Sequence, residues 1–263
     1  MVRQARSTAT DRNPDLCPLD RKARENNFDW GMRAVKAMKT GGRKASTYIA
    51  LLGGTDTVSF RTRVAQSVLR PDMLPSYWSE AILIELQSDS LKDASAIYVP
   101  LAQPDSPAFP PLDNGVVTCP LESFADAERY PNIALIALPV PQERILARLE
   151  TFKRSRGTID ALEHVVRWLA YTWGVARTTN PLNDNYGVPS ACMLEVVCAA
   201  ESYDLTPGLE SRASCPEAIW AAAAHWHEYY AKVSEGTSKG RNKTPIGRYT
   251  AQHAYAIAPA QAS

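Results

Sequence analysis

Apolar positions change their period along this chain, and the changes mark out its elements. Residues 1–26 carry few apolar side chains and read as a flexible arm. From Phe28 the spacing turns helical. Phe28, Met32, Val35 and Met38 fall near one face, Asn27 can cap the start and Gly41 can end it, which predicts a short helix over 28–40. "TYIALL" (47–52) is a short apolar run with β-branched and aromatic members, hence a strand, and it stops at "GGTDT". Val58, Val64, Ala65, Val68 and Leu69 return to helical spacing until Pro71 ends it. "YWSEAILIEL" (77–86) and "ASAIYVPL" (94–101) read as strands, and the wholly apolar "NIALIALPV" (132–140) as a central buried one. "AQPDSPAFPPLDNG" (102–115), with four prolines in 14 residues, reads as an exposed extended excursion.

The second half is helical. Ile145, Leu146, Leu149 and Phe152 follow Pro141, and Gly157 closes that helix. Ile159, Leu162, Val166, Leu169 and Trp173 form the core face of a second helix, capped by Thr158 and ended by Gly174. A third runs from Pro189 to about Ala200. A fourth runs from the capping box "SCPE" (214–217) to about Val233. "SEGTSKGRNKTPIG" (234–247) reads as a flexible basic loop and "GRYTAQHAYAIA" (247–258) as a last strand. The pattern as a whole predicts an α+β fold: a mixed sheet in the first half, about four helices in the second, and a returning C-terminal strand. Residues 1–45 form a basic arm with a short amphipathic helix, and 46–263 a single domain with exposed loops at 102–115 and 234–247.

Composition alters little. With 45% hydrophobic and 22% charged residues over 263 positions, the chain is ordinary for a globular protein. No run approaches a membrane span, and the polar start lacks a secretory signal. The five cysteines are odd in number and form no C-x-x-C pair, so reduced thiols and a cytoplasmic location are expected.

Charge changes the picture more. Residues 1–70 hold 14 Lys/Arg against 6 Asp/Glu, 71–231 hold 10 against 21, and 232–263 hold 5 against 1, so basic ends flank an acidic body. The cations concentrate in "FDWGMRAVKAMKTGGRKAS" (28–46). Arg33, Lys36 and Lys39, spaced by three, form a cationic stripe, and Arg43 and Lys44 follow in a glycine hinge. Arg61 and Arg63 extend this surface, and Trp30 within the helix can stack on a base. Cations that neutralise phosphates release counterions and bind nucleic acid without regard to sequence.

Other chemistry is weakly signalled. The "GGTDT" turn at 53–57 suits a phosphate, but the P-loop lysine and a third glycine are absent. In "HWHEYY", His225 and His227 stand two apart on a helix and face away from each other, so they cannot share a metal. With five cysteines and four histidines, a Cys–His pairing is always available and carries no signal. No metal or cofactor is implied.

Alanine, proline and serine number 37, 19 and 19, together 75 of 263 residues. With the basic arm, this composition resembles that of the proline–alanine–serine-rich proteins of polymycoviruses, a family that coats double-stranded RNA. The resemblance implies a viral structural role and carries over no residue. The expectation is a non-enzymatic, self-associating protein that binds nucleic acid, RNA before DNA, with no membrane partner. An adaptor or scaffold subunit is the first alternative, and a phosphate- or nucleotide-handling enzyme using the 53–57 turn is the second.

Overall fold

The apolar runs lie side by side. In the structure, a computed structural model, the described residues are 21–22, 24–40, 47–88, 91–103 and 113–235. Strands β1 (Thr47–Gly53), β2 (Glu80–Glu85), β3 (Ser95–Tyr98), β4 (Val117–Pro120) and β5 (Asn132–Leu138) form one sheet in the order β4-β3-β2-β1-β5. In β1, Ala50 stands opposite Ile82 on one side and Leu135 on the other.

The fold is α+β, but the sheet is not mixed, because all four pairings are antiparallel. The link from β1 to β2 doubles back, so that β2 begins where β1 stops: Ser79 N–H donates to Leu52 C=O and Leu52 pairs with Glu80. Antiparallel strands usually alternate apolar with polar positions because one face meets water. Here β1 and β5 are apolar almost throughout because helices cover both faces. Ile49 and Leu51 point into a core shared with α2 (Thr57–Ala65), α3 (Gln142–Arg154), α4 (Ala161–Thr172), α5 (Pro189–Ala199) and α6 (Pro216–Glu235). Tyr48, Ala50 and Leu52 point the other way, onto Trp30, Ala34 and Val35 of α1 (Asn27–Thr40) and onto Leu121 and Phe124.

The four predicted helices of the second half are α3 to α6. β4 was not predicted. The strand expected at 247–258, most of the loop at 234–247 and residues 104–112 of the proline-rich excursion lie outside the described residues. Among the described residues no helix is long and apolar enough to cross a membrane.

A boundary after residue 45 does not separate an arm from a domain, because α1 is one layer of the core. Asn27 fastens it. Its side-chain amide donates to the Phe124 and Tyr130 carbonyls, while Asn26, one residue earlier than expected, accepts the Asp29 N–H and caps the helix. At the far side Asn114 plays a similar part from a left-handed backbone (φ 51°). Its side chain donates to Ile159 C=O and accepts from Ala161 N–H, so it sets the turn from α3 into α4. Asp160, rather than Thr158, caps α4 through the Leu162 and Glu163 amides. The expected capping box before α6 is replaced by tertiary bonds. Gln66 accepts the Glu217 N–H, and the Glu217 carboxylate receives Ser76 O–H and Arg70 N–H.

Candidate nucleic-acid interface

Of the seven cations expected from the sequence, the four whose side chains are described, Arg33, Lys36, Arg61 and Arg63, do not gather into one surface. Arg33 is held by Glu25, with both contacts at 2.6 Å, and this pairing pulls the Glu25 carboxyl down to about 2. Lys36 is exposed on the outer face of α1. The Lys39 side chain, Arg43 and Lys44 lie outside the described residues. Trp30 is 2% exposed, so its ring packs the core and cannot stack on a base. Arg63 is fully buried, with Nε on the Ser76 carbonyl at 2.7 Å and Nη1 on the Gly54 carbonyl at 3.2 Å. It pins the 53–57 turn to the β2 approach and cannot reach a phosphate. Arg61 is partly exposed, with Nη1 on the Thr172 carbonyl at 2.8 Å and its guanidinium 5.8 Å from the centre of the Tyr171 ring.

The glycine turn is closed to anions. Gly54 N–H donates to Ser79 Oγ, Thr55 N–H to Arg129 C=O, and Ser59 N–H to the Asp56 carboxylate that caps α2. A phosphate at the α2 start would have to displace that carboxylate. A Cβ on Gly53 would lie 1.9 Å from the Tyr77 carbonyl oxygen, so this glycine is required for close packing.

The buried His164 and Cys192 are not arranged as a thiolate–imidazolium dyad. His164 Nδ1 and Cys192 Sγ stand 3.8 Å apart, but the imidazole is bonded to Gly187 C=O at 3.0 Å. The thiol donates to the Arg212 and Ser214 carbonyls. Burial pushes the thiol well up and the imidazole down, the reverse of a thiolate–imidazolium pair. Among the described residues, no group of three or more His, Cys, Asp or Glu side chains is placed to hold a metal ion.

Cationic and aromatic side chains come together instead along α4. Glu163, Arg167 and Tyr171 recur every four residues and so line one stripe, with about 6 Å between successive members. The Tyr186 ring lies against this stripe. The Arg167 guanidinium sits 3.8 Å and that of Arg212 4.7 Å from its centre, and its hydroxyl donates to Glu163 at 2.8 Å. One turn further on, Arg61 rests on Tyr171. Trp173, just past the helix, is 67% exposed and makes no ring contact with any described residue.

A guanidinium laid on a ring keeps its N–H edge available. Arg212 spends only Nε, on the Asn185 carbonyl, and Arg167 spends Nε and Nη2 on one oxygen of Glu163. No family model, no curated protein and no solved structure matches this chain. The row on α4 is therefore read from its own geometry. A sequence signal for it existed in the i, i+4 spacing of Glu163, Arg167 and Tyr171. Tyr186 and Arg212 come from loops 15 and 41 residues beyond Tyr171, and nothing local announces them.

Proposed function

We propose that this chain is a non-enzymatic, self-associating RNA-binding protein of the cytoplasm, with a coat-like role. The observation that carries the reading is the α4 row: guanidiniums of Arg61, Arg167 and Arg212 bedded on two tyrosines, with the bare Trp173 indole at one end. Guanidinium edges suit phosphates, and a bare indole suits an unpaired base. Glu163 and Asp184 oppose this charge locally, but Glu163 is bound by Arg167 and Tyr186, and Asp184 accepts the Thr179 hydroxyl. The acidic remainder of the body is screened beyond about 10 Å at ordinary salt. Residues 1–45 add positive charge. They hold 11 Lys/Arg against 5 Asp/Glu, an excess of six that the Arg33–Glu25 pair leaves unchanged.

Self-association draws support from the connection between α2 and β2. Val68, Leu69, Met73 and Leu74 are exposed there, with Met73 63% exposed on a left-handed backbone. Arg70 holds this loop by its bonds to Asp72 and by stacking on Tyr77. Rigid apolar patches of this kind are what protein contacts cover.

The test is fluorescence anisotropy of the full chain with a labelled oligouridine of about 20 nucleotides across a salt series. Binding with a steep salt dependence is expected. R167Q/R212Q should lower the slope of log K against log salt by about 1.4, at about 0.7 for each lost single-strand contact. W173A should weaken binding roughly tenfold at every salt concentration without changing the slope. Failure of the full chain to bind at about 50 mM salt refutes the function. Binding that all three substitutions leave unchanged removes the α4 row from it.

A further inference from the structure

The outward face of α4 is apolar. Val166, Ala170 and Trp173, which caps the helix end, follow one another at spacings of four and three and so form one stripe. Val166 is 65% exposed and Trp173 67%, with the half-buried Ala170 between them. The core does not need this stripe, because α4 turns Val165, Trp168 and Thr172 inward instead. Apolar side chains lined up on an exposed helix face mark a contact surface, unlike ones scattered singly.

A cationic row runs beside it. Arg167 and Tyr171 each follow a stripe residue by one position, about 100° further round the helix axis. Arg212 joins this row on the Tyr186 ring. At the far end Gly174 adopts a left-handed backbone (φ 70°) and turns the chain back against α4. A Cβ on Gly174 would lie 3.4 Å from Arg61 Nη1, and that nitrogen donates to the Thr172 carbonyl. Arg61 therefore stands beside the turn that carries Trp173. Arg177, exposed at the end of the same turn with φ 56°, adds a further cation.

Two parallel stripes, one cationic and one apolar, fit a chain that is anionic along one side and apolar along the other. Unpaired RNA is such a chain, with phosphates on one side and bases free to stack on the other. Duplex RNA is not, because its bases are stacked inward and its surface is phosphate, sugar and base edge. Counterion release alone favours the duplex, which is the more densely charged form. A preference for the single strand must therefore come from base contacts.

Resting on the RNA-binding reading above, we infer that α4 is built for unpaired RNA and discriminates against duplex. Bases pack along Val166, Ala170 and Trp173 while Arg167, Arg212 and Arg61 take the phosphates.

Competition binding with the full chain at about 0.15 M salt tests this, with an oligouridine of about 20 nucleotides set against a duplex of the same length. The single strand should bind at least about tenfold more tightly. Val166 and Trp173 are exposed, so V166S/W173A spares the fold. It should erase the preference by weakening the single strand and leaving the duplex unchanged, whereas R167Q/R212Q should weaken both. W173F should keep most of the single-strand affinity and lose the indole quenching that oligouridine causes in the wild-type chain. Equal affinity for the two RNAs overturns the inference and leaves RNA binding standing. So does a wild-type preference in V166S/W173A, or quenching that persists in W173F. Should V166S/W173A lose self-association with RNA affinity unchanged, the stripe belongs to a protein contact and the inference falls. A chain that binds neither RNA refutes the RNA-binding reading, and the inference with it.

Discussion

Replacing Gly53 with alanine should destabilise the protein by about 3 kcal/mol or more, near the upper end for a single added methyl. The methyl would arrive 1.9 Å from the Tyr77 carbonyl oxygen and 2.8 Å from Asn132 Cβ. Neither neighbour can yield cheaply. The Tyr77 carbonyl also accepts the Asn132 side-chain amide at 3.0 Å, and Gly53 pairs with Asn132 across β1 and β5. A shift there opens the end of the β1–β5 pairing. Urea denaturation measures the loss. A G53A protein with a wild-type midpoint would show that the strand end is looser than this packing implies. The same variant also separates two roles for the glycine pair, since a phosphate-binding loop would lose ligand affinity before it lost stability.

Stability should fall as pH rises from about 6 to 8. The Glu80 side chain accepts the Ala81 N–H, and burial pushes its carboxyl up to about 7, against the pull of that bond and of the Ser190 hydroxyl. Although Glu80 is partly exposed as a residue, its carboxyl is enclosed. Burial likewise raises Glu195, which accepts the Thr206 hydroxyl and faces Asp204, and raises Glu217 against Ser76 and Arg70.

A carboxyl that binds its proton more tightly when folded contributes stability that is fully present below the unfolded value, near 4.3. That contribution is lost as pH climbs through the folded value. Glu80 alone accounts for about 4 kcal/mol at most over the whole span from 4.3 to 7, and for about 1 kcal/mol of it above pH 6. His164 works in the opposite direction: burial lowers it, so its contribution is lost as pH falls below about 6.5. The three carboxyls outnumber His164, so the curve should rise from pH 8 toward 6 and go on rising, less steeply than the carboxyls alone would give, toward about 5. Urea midpoints at both pH values check this. E80Q should be more stable than wild type at pH 8 and show a shallower slope. A protein more stable at pH 8 than at 6 would contradict the assignment.

Much of the fold was legible because periodicity reports which side of an element is buried. α1 and α3 show their apolar faces and β1 and β5 show as unbroken apolar runs, but the face expected on α4 is turned outward: Val166 and Trp173 are exposed, while Val165 and Trp168, one position aside, are buried. The antiparallel direction of the strands did not show, because a strand covered on both faces looks the same in either direction. β4 escaped because four residues ending in proline leave no alternation to detect.

The charges were harder to read. Arg33 and Lys36 look alike in a helical stripe, yet one is tied to Glu25 and the other is exposed. Arg63 looks like a surface cation because α2 lacks a clean apolar face. Its burial depends on carbonyls at Gly54 and Ser76 that only the folded turn presents. Glu217 looks like half of a local cap and is engaged instead by Arg70 and Ser76, about 140 residues away in sequence. Partners that fold brings from afar leave no local spacing, and the same holds for Tyr186 and Arg212 on α4.

Cys192, Cys198 and Cys215 are buried in the core between α5, α6 and the sheet, and burial raises all three thiols, Cys215 to about 12. Only a thiolate attacks an alkylating reagent, and these sulfurs are both protonated and shut away. They therefore act as an internal clock. Cys119 on β4, half-buried, labels from the native state, whereas Cys192, Cys198 and Cys215 label only as fast as the helical layer lifts from the sheet. The rate of the three buried thiols, set against their rate in the unfolded chain, reads the opening equilibrium of that layer.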